Sequence, residues 1–326
     1  MQEARRIPVT TGSGGSPEGG NSAYVLPDRG LVVDPGPPGD GAWRRLREGL
    51  DDAGVGVDGV DHVLVTHWHA DHVGAAPRLA AEADATLALH ERDAPLIGDY
   101  AAERARRLER DARVLERWGV PDDRVEPLVE FDSPSPVPDS FPVRSLADGD
   151  TVAGVEVLHT PGHTAGHAAF VLDDHAFVGD AVLTTCTPNV GGGDTRQEAP
   201  LTDYRETLSR LEDRVRVAHP GHGSEFELEP RTGTLRAHHR DRSSRVVTVL
   251  DGEGPVTPWT LARTLFGEME GYHVKFGAGE AFAHLEHLDR LGVVDRCGDD
   301  PVTFRRSDVT AAAADRRLSA AFAPEA

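Results

Sequence analysis

Apolar residues along the first 230 positions gather into short runs separated by turn residues, a pattern that predicts strands interspersed with helices. Residues 7–34 read as a hairpin-like opening, with Ala23-Tyr24-Val25-Leu26 and Leu31-Val32-Val33 as its apolar runs and a Gly/Ser/Pro-rich turn over 12–20. Trp43, Leu46 and Leu50 then recur at helical spacing, and that helix stops near Gly54. Residues 60–66 read as a buried strand, 74–83 as a short helix and 86–89 as another strand. Arg and Glu crowd residues 101–118 without a breaker, which predicts a solvated helix leaning over a cleft. Four prolines make 133–142 a loop. Strands return at 155–158, 168–172 and 176–178, with Asp173-Asp174 as a hairpin turn. A helix over 201–217 and a loop over 218–223 follow.

The composition shifts beyond about Glu229. Helical stretches at 235–250, 257–266 and 278–291 precede two short apolar runs, Val293-Val294 and Val302-Thr303-Phe304, which flank a polar turn at 298–300. Three helices and a hairpin predict a winged-helix-like module with Phe282, Leu285, Leu288 and Leu291 in its core. The expected division is therefore a first domain over 1–228 and a second over 229–326.

Charge narrows the classes of partner. Against 34 basic residues stand 55 acidic ones, for a net charge of -21, and Lys275 is the only lysine. Such a surface resembles that of proteins from high-salt cytoplasm, where screening tolerates self-repulsion, and a halophilic protein is the favoured reading over an ordinary acidic one. A polyanion meets this chain at a disadvantage. No run of about 18 apolar residues suits a bilayer, and the start of the chain lacks the apolar stretch of a secretion signal, so a cytoplasmic location is expected. Cys186 and Cys297 lie far apart, which indicates neither a disulfide scaffold nor a thiolate cluster.

The chemistry concentrates in Thr66-His67-Trp68-His69-Ala70-Asp71-His72. An apolar strand, Val63-Leu64-Val65, leads into it, so three imidazoles and a carboxylate are presented together at a sheet edge. Imidazole and carboxylate without thiolate suit Zn, Fe, Mn or Ni. His67 and His69 project to one side while Asp71 and His72 follow the turn, so two adjacent ions satisfy the geometry better than one. Further ligands must come from downstream, where His163 and His167 follow one strand, Asp180 another, and His222 sits between Gly221 and Gly223. The remaining histidines 62, 90, 159 and 175 read as hydrogen-bonded or solvated, and His167 stands between that reading and a contact with substrate.

The order of these motifs resembles the metallo-β-lactamase superfamily over about residues 23–223. Its HxHxDH motif stands here as His67, His69, Asp71 and His72, followed by the matches His163, Asp180 and His222. The resemblance implies an α+β fold, an αββα sandwich with metals at one edge of its paired sheets. It also implies that one ion is held by His67, His69 and His163 and the other by Asp71, His72 and His222, with Asp180 shared. Asp34 matches a position near the floor of the site and is expected to support the ligands, while the Pro-Gly-His-Gly pattern favours His222 over His219 as the ligand. Two Zn2+ ions are expected, with Fe or Mn also compatible.

The activity this implies is hydrolysis by a hydroxide held between the ions, with Asp71 as the residue that also orients it or relays its proton. The C-terminal module looks like the branch containing β-lactamase-like protein 2, associated with RNA endonuclease activity, so single-stranded RNA is one expected partner. Arg236, Arg240, Arg242 and Arg245 would then have to supply the basic patch. A small acyl substrate, with the protein a thioester or lactone hydrolase like the glyoxalase II type thioesterases, is the alternative and meets no objection from charge. A persulfide dioxygenase works with one iron and fewer ligands, which the full set ending in His222 counts against. A non-enzymatic regulator that binds nucleic acid on the same scaffold is a further reading, and a homodimer is among the expected assemblies.

Overall fold

The computed structural model describes residues 4–10, 18–130, 132, 135, 137–252 and 254–323. Two six-stranded sheets face one another. The first runs, in spatial order, β1 (Arg5–Pro8), β2 (Ser22–Leu26), β3 (Leu31–Val33), β4 (His62–Leu64), β5 (Thr86–His90) and β6 (Arg144–Leu146). The second comprises β7 (Thr151–Val152), β8 (Val155–His159), β9 (Ala168–Leu172), β10 (His175–Gly179), β11 (Val217–Pro220) and β12 (Phe226–Glu227), in that spatial order. Tyr24, Leu26, Leu31, Leu64, Phe170 and Phe177 fill the space between the sheets. Strands buried on both faces explain why these runs read as continuously apolar rather than alternating.

Helices cover both outer faces. On the first sheet lies α1 (Asp40–Asp52), whose Trp43, Leu46 and Leu50 are the buried stripe foreseen from spacing. With it come the single turn α2 (Ala70–Val73), α3 (Ala76–Ala83) and the short α4 (Pro95–Gly98). Next along the chain are the arginine-rich α5 (Tyr100–Arg117), α6 (Asp122–Glu130) and α7 (Pro200–Glu212), and Leu115, Val125 and Leu208 from them pack in the core behind the second sheet. The expected helix over 201–217 ends early because residues 217–220 are claimed by the sheet. There Ala218 and His219 pair in parallel with Ala176 and Phe177 of β10, so the first half of the expected loop over 218–223 is strand β11. In the turn expected over 12–20, residues 12–17 lie outside the described residues, as do 133, 134 and 136 of the proline-rich loop.

Beyond β12 the chain forms α8 (Leu228–Leu250), α9 (Pro258–Phe266) and α10 (Tyr272–Arg290), then the hairpin β13 (Val294–Asp299) and β14 (Val302–Arg306), and ends in α11 (Ala311–Ala321), which the sequence reading did not anticipate. Three helices and a hairpin appear in the expected order. Their core is continuous with that behind the second sheet, since Val178, Leu201, Tyr204, Leu235, Leu261, Leu285 and Phe304 belong to one cluster. Leu285 and Leu288 are fully buried, as expected. Among the described residues no helix is long and apolar enough to cross a membrane.

Arg236 and Arg242 do not form a basic surface. Arg236 is buried in an ion pair with Glu212 at 2.9 Å and also donates to Ser209, while Arg242 is paired with Glu280 and stacked on Phe266. Arg240 reaches Asp315 at 3.6 Å. Of the four arginines expected to form a patch on one helix, Arg236 and Arg242 are thus withdrawn by acids on neighbouring helices, which spacing within a single helix cannot reveal.

Candidate metal centre

Ends of strands and one hairpin loop deliver the candidate ligands to a single edge of the sandwich. His67 and His69 follow β4, Asp71 and His72 begin or ride the single turn α2, His163 lies in the loop between β8 and β9, Asp180 follows β10 and His222 follows β11. All seven are brought together. His67 Nε2 and His163 Nε2 each lie 3.0 Å from His69 Nδ1. His72 Nε2 is 3.5 Å from Asp71 Oδ2 and 3.4 Å from Asp180 Oδ1, and His222 Nε2 is 3.3 Å from Asp71 and 3.5 Å from Asp180. The ligand atoms of His67, His69 and His163 form one group able to hold a metal ion, and those of Asp71, His72 and His222 form another.

The atoms fit cations better than they fit one another. At metal–nitrogen distances of about 2.0–2.1 Å a tetrahedral ion separates its ligand nitrogens by roughly 3.3 Å, close to the 3.0 Å found here. His72 Nε2, Asp180 Oδ1 and both ring nitrogens of His222 are buried without a hydrogen-bond partner among the described residues. Orphaned polar atoms of this kind are costly unless a ligand satisfies them.

Hydrogen bonds to the far side of each ring fix which nitrogen carries the lone pair. His163 Nδ1 donates to Asn189 O at 3.0 Å and His72 Nδ1 donates to Asp34 Oδ2 at 3.0 Å, which leaves Nε2 of both facing the site. Asp34 also accepts from Thr66 N and Thr66 Oγ1, at 2.7 and 2.8 Å, so it anchors the start of the motif as well as one of its rings. That matches its expected supporting place.

The two halves of the site differ electrically. Burial, followed by the adjacent His72, holds His67 well below its ordinary value, and burial with His163 brings His69 down to about 3. In the other half, burial opposes ionisation but is overcome: Asp180 and Asp71 push His72 up, and Asp180 above all lifts His222 to about 10. Asp71 and Asp180 are correspondingly held low, against burial, by His72 and His222. One half thus offers neutral imidazoles at His67 and His69, and the other attracts positive charge at His72 and His222.

Several contributors left no signal in the motif. Asn21 Nδ2 donates to Asp71 Oδ2 at 3.0 Å and so fixes the most exposed of the acidic ligands. Glu18 Oε2 lies 3.9 Å from His222 Nε2, in a group with Asp180 and His222 that could also hold an ion, yet it sits in a stretch that reads only as a turn. Buried Asp93 accepts from Trp68 N at 3.3 Å and Thr164 Oγ1 at 3.0 Å, and buried Asp194 accepts from Ala165 N at 2.9 Å. Arg196 bridges these two carboxylates, so the loops bearing His67, His69 and His163 are tied to one buried ionic cluster. At Gly221 close approach demands glycine, because a Cβ there would lie 2.6 Å from Asp180 Oδ1 and press on His72.

His167 is not available to a substrate. It is fully buried, its Nδ1 shares a hydrogen bond with Thr160 Oγ1 at 2.8 Å, and its Nε2 accepts from Asp180 N at 3.2 Å, so it positions the loop of Asp180. His219 packs between Tyr24 and Phe177, away from the ligands, as the sequence pattern favoured. His175, expected to be solvated, instead stacks on His219, and His90 stacks on His159 at 4.1 Å.

The family model for the metallo-beta-lactamase superfamily matches residues 15–222. The chain belongs to that superfamily. A probable metallo-hydrolase, YqjP, of Bacillus subtilis strain 168 is 27% identical over 81% of this chain and 86% of its own length. An atrochrysone carboxyl ACP thioesterase of Aspergillus fumigatus is 26% identical over 77% of the chain and 69% of its own. Among solved structures, metallo-beta-lactamase family protein TTHA1429 from Thermus thermophilus superposes with a TM-score of 0.73 at 32% identity, covering 94% of this chain and 99% of that one. That superposition extends past residue 222, so the metallo-beta-lactamase sandwich and much of its C-terminal extension are common to both chains. The protein is a metallo-hydrolase of this superfamily.

Proposed function

We propose that the protein hydrolyses a small, uncharged acyl thioester or ester, with two divalent cations held by His67, His69 and His163 and by Asp71, His72 and His222, and with Asp180 between them. Zn2+ is the proposed ion, and the same donors suit Fe or Mn. Bound in such a cage, divalent ions supply Lewis acidity and lower the pKa of a water molecule from about 15.7 toward about 7. Asp71, whose side chain is 42% exposed where those of His72, Asp180 and His222 are covered, is the carboxylate placed to orient a water or accept its proton at Oδ2. Asn21 steadies that carboxylate from behind.

The observation that carries the choice of substrate is a cleft of about 640 Å³ that none of the candidate ligands lines but that Asn189 joins to His163. Its boundary includes Asn189, whose carbonyl holds the His163 ring. Its apolar surface comes from Phe266, Met269 and Phe276, and Glu268, Glu270 and Glu280 stand around it. An apolar floor of this size accommodates an acyl group, and with Glu268 and Glu280 already paired to Arg263 and Arg242 no arginine or lysine lines the cleft to receive a phosphate backbone. The internal pairing of Arg236 and Arg242 weakens the case for single-stranded RNA further. The printed name of the Aspergillus relative, an ACP thioesterase, supports the same choice. A regulator that merely binds nucleic acid would have no use for so complete a set of converging ligands.

The cleft owes its shape to the C-terminal helices. The loop at Gly191, Gly192 and Gly193 passes between α10 and the site: a Cβ on Gly192 would lie 2.5 Å from Phe276 Cα, and one on Gly193 would lie 3.3 Å from His69 Cε1. Purified, metal-quantified protein should cleave short acyl thioesters or phenyl esters and leave single-stranded RNA intact, in low and in molar salt. Cleavage of RNA without thioester or ester turnover would overturn the reading.

A further inference from the structure

A second cavity, of about 680 Å³, opens between α5, the segment 195–198, α10 and the β13–β14 hairpin. It shares no lining residue with the cleft at Asn189. On a chain of net charge -21, its walls carry five arginines, at 110, 117, 196, 290 and 296, against three acids, Glu198, Glu286 and Asp289.

Four of these arginines are already engaged. Arg196 is bound to Asp93 and Asp194, Arg290 to Glu286, Arg296 to Asp299, and Arg117 donates to the Asp299 carbonyl. Arg110 differs. Among the described residues no carboxylate lies within ion-pairing distance of it, and its one hydrogen bond runs from Nε to Thr195 Oγ1 at a long 3.4 Å. Neighbouring Asp111 cannot serve it, because one carboxylate oxygen holds Lys275 Nζ at 2.8 Å and the other accepts from Thr195 at 2.6 Å. Burial pushes the Arg110 guanidinium down from its ordinary value, against the longer-range pull of Asp111 and Asp194. A half-buried cation left unpaired beside an open cavity is costly until an anion meets it.

Aromatic rings complete the cavity. Trp118 and the partly exposed Phe282 stack at 5.0 Å with an interplanar angle of 26°, and Phe304 lies behind them. A guanidinium fork matches the two oxygens of a carboxylate or a phosphate, and an aromatic surface favours a flat ring.

We propose that this cavity binds a small organic anion, a carboxylate or phosphate carried on a planar ring, with Arg110 as its charged contact and Phe282 as its ring contact. The proposal stands apart from the assigned hydrolysis.

Calorimetric titration of the full chain distinguishes the sources, with benzoate and AMP as the two anions, benzamide as a ring without charge and inorganic phosphate as a charge without a ring. At least one of benzoate and AMP should bind saturably at one site per chain, benzamide should not, and inorganic phosphate should bind more weakly than the ring-bearing anion. Arg110→Gln should weaken binding roughly tenfold to a hundredfold, the range for a lost charge-assisted hydrogen bond, with thermal stability and metal content unchanged. Phe282→Leu should weaken the ring-bearing anion several-fold and leave inorganic phosphate unaltered. The proposal is overturned if neither anion binds at millimolar concentration, if Arg110→Gln binds as well as the parent, or if binding appears only in metal-loaded protein and so belongs to the metal centre.

Discussion

Asp34 holds His72 by a 3.0 Å contact from Oδ2 to Nδ1, and it does so from a backbone conformation that few side chains adopt, with φ at 48°. Aspartate tolerates the left-handed region better than most residues, and strain of this kind persists where the surroundings over-determine it. Here the surroundings are Thr66 N and Thr66 Oγ1, which fill the remaining acceptor sites of the same carboxylate.

Replacing this carboxylate should therefore be felt at the metal rather than in the fold. Asp34→Ala is expected to loosen metal binding by about 10–100-fold, the usual cost of removing a ligand's outer partner. Competition with a chromophoric chelator measures it, and circular dichroism should show the same secondary structure. Unaltered metal affinity would remove Asp34 from the assembly of the site.

Asp180→Ala should do more. Its two oxygens face His72 and His222, and it stands between the two groups of ligands. The expected result is fewer than two ions per chain by elemental analysis and a loss of turnover larger than the roughly 10–100-fold cost of disturbing an outer partner. Two ions per chain with near-parental turnover would contradict the assignment.

Arg196 bridges two carboxylates that have almost no access to solvent, Asp93 and Asp194. Removing one partner from a buried ionic cluster typically costs about 3–5 kcal/mol. Arg196→Met should lower stability by an amount of that order in urea denaturation. Because Asp93 and Asp194 hold Trp68 N and Ala165 N, metal affinity should fall with it. A variant as stable as the parent would mean that the cluster is not the anchor of the two ligand loops.

His239 provides a pH test away from the metal. Its ring is buried, both its nitrogens lack partners among the described residues, and burial, with His238 next, brings it down to about 3. The unfolded chain takes up this proton as pH falls below about 6.5, while the folded chain does so only near 3. Its contribution to stability is thus complete above about pH 6.5 and shrinks as pH falls, by about 1.4 kcal/mol per pH unit, until the folded value is reached. His239→Leu should remove that slope from the stability of the metal-free protein between about pH 6 and pH 4, at little cost near neutrality, since the lost nitrogens had no partners. An unchanged slope in chemical denaturation would place the proton uptake elsewhere.

The helix carrying Trp43, Leu46 and Leu50 was legible because the period of burial is local, and the convergence of the seven candidate ligands was legible because each ends a strand beside glycine or within one dense motif. Other features were not. The end of α7 was misplaced because the parallel pairing of β11 with β10 involves residues some forty positions apart, and no period within 201–217 reports it. The four arginines at 236, 240, 242 and 245 looked like a surface patch because the acids that pair with Arg236 and Arg242, Glu212 and Glu280, lie on other helices.

What the sequence determined by itself was the chemistry of the site: the types of ligand, their order and the strand ends that present them, since these follow from residue identity and short-range periodicity. Apart from Asp34, which the resemblance already marked as a support, tertiary structure alone decided what holds those ligands in place. Asn21 reaches Asp71, Asp34 reaches His72 and Arg196 reaches Asp93 across separations of 50, 38 and 103 residues. Desolvation and ion pairing depend on distance in space, which the packing of the two sheets and the C-terminal helices sets and which no local stretch of chain encodes.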